Sequence, residues 1–409
     1  MPPRIPFITA IALLLLACGG GEVTVVVPPP PPPTDARLVF VPDPEDAAAA
    51  QALGWTTIPD VEVTILPSDS SAPPQIRHSN AAGVLVLTGF PTGAYIVEAR
   101  RWLSASELAQ LPATEDVVGW VAKAGVSVSP AQAERTLPLP ASRKRGLVIS
   151  EWAFNQKGGY YFAGFLELYN NADTTIYLDG LILGDGFSQA FDYPNYPCNL
   201  YEPMWNDPLG VWTREFQQFP GRGLDYPLRP GQAIVVATDA VDHRPLIEGG
   251  LDLSQGDFEF SGFVDADNPA VPNLIDIGLR TNPLGHGPVF EGLAILPYVV
   301  LPVDIGSLPR IVPPRPTLEW ARMPRERLLD VVAIHTKYLG AYPLCSQLVH
   351  PQLDRRESHA RSGRDEQEEF EYSISRRRIP GQGRVILQHT RNSDADFERT
   401  RRSPGTLPP

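Results

Sequence analysis

The sequence predicts an all-β protein of two β-sandwich domains, the second enlarged by long insertions. Three observations point there. The 409 residues include 45 prolines and 34 glycines, a composition suited to many short strands and turns rather than to long helices. Apolar and polar residues alternate with period two in runs such as Val61-Glu62-Val63-Thr64-Ile65, and such alternation marks a strand with one buried face. Between the runs lie clusters such as Asn80-Ala81-Ala82-Gly83 and Asn170-Asn171-Ala172-Asp173, whose residue types favour turns. At 43% hydrophobic residues, the chain holds enough apolar side chains for two or three cores.

Arg4 precedes an uninterrupted apolar run from Ile11 to Ala17 that ends at Cys18 and three glycines. A basic start, a short apolar stretch and small residues at its end mark a secretory signal, here residues 1–17. The run is too short to cross a bilayer, which takes about 20 apolar residues. Leu15-Leu16-Ala17-Cys18 resembles the lipobox of bacterial lipoproteins. That resemblance implies that the Cys18 thiol takes a diacylglyceryl group and becomes the mature N-terminus. Stable anchoring needs about two lipid signals, which a multiply acylated cysteine, palmitate included, supplies. Gly19 resembles the pattern that permits transfer to the outer membrane, so the expected partner of Cys18 is that bilayer, with the chain periplasmic or surface-exposed. Residues 18–35 then form a tether. Its six prolines, Pro28 to Pro33, adopt polyproline II, a semi-rigid spacer on the order of 20 Å long.

The net charge of −13 argues against a nucleic-acid partner, since phosphate binding calls for a basic face. The last 59 residues carry twelve arginines against ten acidic residues and read as a solvated Arg-rich surface. Once Cys18 is acylated, only Cys198 and Cys345 remain. In an oxidising compartment two such thiols can pair, but the sequence leaves a disulfide and two separate buried thiols equally open.

The first domain spans residues 36–140. Strands are expected at Arg37–Val41, Val61–Ile65, Gly83–Leu87, Tyr95–Val97 and Gly125–Val128, with a helical excursion from Ser104 to Leu111. In Gly89-Phe90-Pro91-Thr92-Gly93-Ala94-Tyr95, Pro91 sets φ for a turn and Gly93 is the permissive turn position. The order of a "Val-x-Val" strand, an Asn-x-x-Gly turn and a "Gly-apolar-Pro-x-Gly-x-Tyr" phrase resembles the carboxypeptidase regulatory-like, transthyretin-like sandwich. Such domains are usually non-catalytic spacers or docking modules, and the resemblance implies no peptidase activity.

The second domain spans residues 145–400, with residues 401–409 a disordered tail. Its strands are expected at Gly146–Glu151, Phe165–Asn171, Ile176–Gly184, Gln232–Ala237, Leu329–Ile334 and Val385–Gln388. The phrases Ile149-Ser150-Glu151, Glu167-Leu168-Tyr169-Asn170, Leu178-Asp179-Gly180, Pro230-Gly231-Gln232 and Asp330-Val331-Val332 resemble a lamin-tail-type, immunoglobulin-like sandwich. Ala237–His243, Asp257–Phe260, Asp265–Leu274 and Thr390–Phe397 are similar to an uncharacterised family of bacterial surface lipoproteins. In that family a regulatory-like domain precedes the same enlarged domain of unknown function, so the likeness implies fold and location but no activity, catalytic residue or ligand.

No catalytic motif stands out: the seven histidines are scattered, and neither a zinc-protease, nucleophile-elbow nor phosphate-loop pattern occurs. No cofactor is expected. Asp265, Asp267 and Asn268 are the best candidates for a cation such as calcium, which wants several oxygen ligands. The competing reading, which we favour, is an Asx-turn cluster before Pro269. Phe191–Leu228 is rich in aromatic residues and lacks either regular period, so a long insertion between strands is expected there. Tyr201, Trp205, Trp212 and Phe216 either stay exposed as a ligand-binding surface or, the favoured reading, fold inward as a satellite core. The function expected is a membrane-anchored, non-enzymatic binding or accessory module of the cell envelope, partnered by an outer-membrane receptor or other envelope protein. The alternative is an exported metal-assisted hydrolase using carboxylates near Asp265, or Glu151 and Glu167.

Overall fold

A computed structural model of the chain describes residues 33–132, 134–144, 146–153, 160, 162–188, 197–262, 267–279, 294–313, 318–335, 345, 348–358, 370–381 and 383–407. Cys18, Asp265 and the start of the aromatic insertion, Phe191 to Tyr196, lie outside these residues. The fold is all-β, with sheets packed face to face and no barrel.

The first eight strands are β1 (Thr34–Pro42), β2 (Glu62–Pro67), β3 (Gln75–His78), β4 (Val84–Phe90), β5 (Gly93–Trp102), β6 (Val117–Val128), β7 (Glu134–Leu139) and β8 (Ala141–Arg143). They form a three-stranded sheet, β4-β1-β7, and a five-stranded sheet, β3-β2-β5-β6-β8. Alternate residues of facing strands fill the space between: Leu38 and Phe40 of β1, Val63 and Ile65 of β2, Val97 of β5 and Trp120 of β6 share one core, with Trp55 against Trp120 at 5.5 Å between ring centroids. The Asn80 turn forms as its residues dictate. Its Oδ1 accepts from Ala82 and Val84 N–H groups at 3.0 and 2.9 Å. Gly83 has φ +68°, and a Cβ there would stand 2.7 Å from the Ile58 carbonyl oxygen, so glycine is required. The helical excursion is confined to Ala105–Leu108, with Ser104 and Glu107 forming a capping box. Gly93 is not the permissive turn position: positive φ falls at Gly89, +60°, and Gly93 opens β5. The first half of β6 does not show as a strand in the sequence because residues 117–122 are buried on both faces, which erases alternation.

The remaining strands are β9 (Leu147–Ala153), β10 (Phe165–Asn170), β11 (Ile176–Tyr177), β12 (Ile182–Gly186), β13 (Gly210–Gln218), β14 (Pro227–Leu228), β15 (Ala233–Ala237), β16 (Phe258–Glu259), β17 (Ile275–Asp276), β18 (Ala294–Ile295), β19 (Pro297–Val300), β20 (Arg310–Ile311), β21 (Trp320–Pro324), β22 (Leu328–Val331), β23 (Ile334–His335), β24 (Tyr372–Arg376), β25 (Arg378–Ile379), β26 (Ile386–Leu387) and β27 (Phe397–Arg401). A six-stranded sheet, β16-β15-β10-β9-β24-β27, packs on a seven-stranded one, β20-β21-β13-β12-β19-β22 with β17 beside β13. Leu147, Ile149, Leu166 and Leu168 from the first meet Leu183 and Val299 from the second. Ile182, Phe216, Tyr298 and Met323 point the other way, into another core closed by Leu348 and Leu353. The seven-stranded sheet is thus covered on both faces, and strands such as β13 and β19 bury consecutive residues rather than alternate ones. That is why β13 was expected to be an irregular insertion; it is instead a central strand. The expected strand Ile176–Gly184 is interrupted at Leu178–Leu181, where Asp179 accepts three backbone N–H groups, from Gly223, Asp225 and Tyr226, at 2.9 Å each.

Among the described residues no sheet mixes strands from the two bodies, yet they are joined along a seam. Lys123 reaches Asp394 at 2.8 Å, Arg355 reaches Asp43 at 2.7 Å, and Arg391 reaches Glu45 at 2.6 Å. His389 donates its backbone N–H to Ser142 Oγ at 3.1 Å and accepts from Arg143 N–H at 3.1 Å. Val118 packs with Ile379 and Ile386, joined by Trp102 and Leu108. Isolated exposed ion pairs add little stability. Here the pairs flank an apolar contact and backbone hydrogen bonds, so the whole seam fixes one docking.

Candidate binding site at the seam

A recess lies where β2, β3 and β5 of the first body face Arg377, β25 and β27 of the second. It encloses about 590 Å³ and is lined by Glu62, His78, Arg100, Trp102, Arg377 and Glu398, among others. Register explains the first wall: Glu62 stands opposite both Arg100 and His78 across neighbouring strands, so the three side chains share one row. Arg100 pairs with Glu98 at 2.7 Å, and Arg377 faces Glu98 at 3.7 Å across the seam. Guanidinium and carboxylate groups beside an indole ring present donors, acceptors and an apolar face together, chemistry suited to binding a polar ligand in a preformed cleft. A second recess of about 330 Å³ lies on another flank of the seam, lined by Leu328, Leu329, Val331, Leu353, His389 and Arg391. Gln388 borders the first recess and its neighbour His389 the second.

A buried charge network underlies the seam. Arg376, read in the sequence as part of a solvated arginine surface, is 2% exposed. It donates to Ile149 O at 2.8 Å, Asp330 Oδ2 at 2.6 Å, Asp396 Oδ2 at 3.3 Å and Gln388 O at 3.1 Å. Burial works to raise the Asp330 carboxyl, but Arg376 and His389 outweigh it and hold Asp330 below its ordinary value. Nothing in the local sequence distinguishes Arg376 from Arg377 and Arg378; strand register alone selects it.

The candidates named from the sequence are dispersed. Cys198 and Cys345 are joined in a disulfide, with Cα atoms 5.7 Å apart. Tyr201, Trp212 and Phe216 do not form an open ligand surface: all three are buried. Phe216 belongs to the core beneath the seven-stranded sheet, while Tyr201 and Trp212 form a satellite core with Met204 against which Trp205 packs half-buried. Their polar tips are engaged inside, Trp212 Nε1 on Asp207 at 3.0 Å and Trp205 Nε1 on Cys198 O at 2.9 Å. Burial of these large rings outweighs exposure for a ligand. Asp267 accepts from Asn273 at 2.7 Å, and Asn268 accepts from Ala270 N–H at 3.1 Å while donating to Ala240 O at 2.8 Å. These are the bonds of a turn cluster. Among the described residues, no three His, Cys, Asp or Glu side chains gather as a metal site.

Glu151 and Glu167 face each other across β9 and β10 and are wholly buried, so they are closed to substrate. What covers them is the segment expected to be a disordered tail. Ser403 donates its N–H and Oγ–H to Glu151 at 2.9 and 2.7 Å, and Gly405 N–H donates to Glu167 at 3.0 Å. Those bonds, with Leu407 packed on Val148, Tyr169 and Leu387, hold a segment whose composition alone suggested disorder.

No family model matches the chain, and no curated protein matches it. Among solved structures, it is similar to a DUF4876 family protein from Bacteroides thetaiotaomicron, at 17% identity and a TM-score of 0.48, over 92% of this chain and 96% of that one. It is also similar to a "putative adhesin" from Bacteroides ovatus, at 12% identity and a TM-score of 0.19, over 76% of this chain and 88% of that one.

Proposed function

We propose that this chain is a lipid-anchored, non-enzymatic binding module of the bacterial envelope. Residues 1–17 are removed on export, Cys18 carries acyl chains in the outer membrane, and the polyproline run holds the folded part off the bilayer. The first body is a regulatory-like sandwich over residues 36–140, and the second an enlarged lamin-tail-like sandwich from residue 145. Their seam presents the ligand site, and an envelope protein is the partner. The observation that carries the binding reading is the polar cleft of about 590 Å³ built from both bodies, a size typical of ligand sites.

The test uses intact cells grown with labelled palmitate and carrying a photo-crosslinking amino acid in place of Arg100. The full chain is expected to incorporate label, Cys18→Ser to incorporate none, and the crosslinker to give a discrete adduct with an envelope protein that is absent when the same group replaces Val86. An unlabelled chain with an unmodified Cys18 thiol contradicts the anchoring. Absence of any adduct, together with turnover of phosphoesters, glycosides or peptides by the purified chain, contradicts the binding reading.

A further inference from the structure

The outer face of the six-stranded sheet carries an arrangement that ligand binding at the seam does not use. After β27 the chain turns back across its own sheet, and residues 402–407 pass over β24, β9 and β10. Beneath them Glu151 and Glu167 sit side by side, both 0% exposed. Their oxygens accept from Ser403 N–H and Oγ–H on Glu151, Gly405 N–H on Glu167, and Ser150 Oγ–H on Glu167 at 2.7 Å, and the Ser373 side chain also bonds Glu151. Two adjacent carboxylates in a dry site repel one another when both are ionised, yet this covering segment closes them off from water.

We propose that Arg402–Leu407 is a proton-linked strap, closed while the Glu151–Glu167 pair holds a proton and lifted as that pair ionises fully. Closure takes up a proton from solvent onto the pair, and lifting returns it. Burial first, and then the Glu151 charge, push the Glu167 carboxyl up to about 7, against the pull of Ser150 and Gly405. Burial likewise raises Glu151, opposed by Ser373 and Ser403. In the lifted state water reaches both groups, which return toward their ordinary range. The sign follows by linkage: a group whose closed-state value is raised favours closure below its ordinary value, and that contribution is lost as pH rises through about 7. Closure therefore weakens by up to tenfold for each pH step across that window.

The other charged groups around the pair do not reverse this. Asp257, near Glu167, is itself raised by burial and adds the same sign. Arg402 lies 4.2 Å over the Phe370 ring and donates to Ala163 O at 3.3 Å; burial brings it down to about 9, so it stays charged through neutral pH, and its charge opposes the rise at Glu151 without reversing it. His243 is lowered by burial and is held between Tyr160 and the Asp239 carbonyl, at 2.7 and 2.8 Å. At the far end, Leu407 O accepts from Arg378.

Amide hydrogen exchange of the full-length protein in detergent, corrected for intrinsic exchange rates, tests the proposal at pH 5.5 and 8.5. Protection of residues 403–407 is expected to fall at least tenfold at the higher pH while β1 holds its protection. Glu167→Gln, permanently neutral, is expected to keep the strap protected at pH 8.5. Leu407→Ala is expected to lower protection at both pH values while leaving their ratio intact. Equal protection of the wild-type strap at the two pH values overturns the proposal, as does a wild-type-sized drop in Glu167→Gln. Should Glu167→Gln fail to fold, Glu151→Gln is read by the same criterion.

Discussion

Arg376→Ala is expected to destabilise the protein by about 3–5 kcal/mol, the range for breaking a buried ion pair by removing one partner. The cost arises because Asp330 and Asp396 stay behind, buried, without the guanidinium that pairs with both; Asp330 is 4% and Asp396 1% exposed. Asp396 retains Thr390 N–H and Oγ–H and the Gln388 amide, at 2.8, 2.8 and 3.0 Å. These bonds orient the carboxylate without neutralising it. Arg376 also lies 4.4 Å over the Phe397 ring, so alanine removes a covered aromatic face as well. The loss propagates to the seam, because Asp396 ends the Ser393–Asp396 helix whose Asp394 pairs with Lys123. Chemical denaturation followed by tryptophan fluorescence measures the change. A loss under about 1 kcal/mol, the scale of an exposed pair, contradicts the role assigned to this network.

Removing the disulfide is expected to cost about 2–5 kcal/mol. Cys198 and Cys345 are 147 residues apart in sequence, and a cross-link closing so long a loop removes much conformational freedom from the unfolded chain. Its place adds to the effect. Cys198 opens the short helical stretch leading to Tyr201, and its carbonyl accepts the Trp205 indole N–H. Cutting the bond therefore loosens the satellite core formed by Tyr201, Met204 and Trp212. The double variant Cys198→Ser, Cys345→Ser and the reduced wild type are expected to unfold at matching, lower denaturant concentrations. A midpoint unmoved by reductant contradicts this.

The parts of the fold that can be read from sequence are those where one strand face meets water. Val63 and Ile65 alternate with Glu62 and Thr64, and Leu38, Phe40, Leu85 and Leu87 alternate with the more exposed Val39 and Val86; all six occupy the first core. The Asn80 turn was legible because its chemistry is local. Legibility failed where a strand is covered twice. β13 and β19 in the seven-stranded sheet, and the first half of β6 at the seam, bury consecutive residues and so lose the period. The candidate site was largely hidden for a different reason. Glu62, Arg100 and Arg377 are ordinary surface residues until register and docking bring them to one recess. Cys198 and Cys345 could be named as a potential pair, but only the fold places them together. The Ser403–Leu407 segment misled because its composition is that of a loop, while two backbone N–H groups and one hydroxyl fix it.

The proposed ligand site has a wall in each body, so it requires the seam to make one rigid frame of the two. Differential scanning calorimetry of the full-length protein tests this directly. Coupling through the Lys123–Asp394, Arg355–Asp43 and Arg391–Glu45 pairs and the Val118–Ile379–Ile386 contact predicts a single cooperative transition, lowered as a whole by Arg376→Ala. Two separated transitions, with only the second body's moved by Arg376→Ala, would show bodies that unfold independently and would contradict the account.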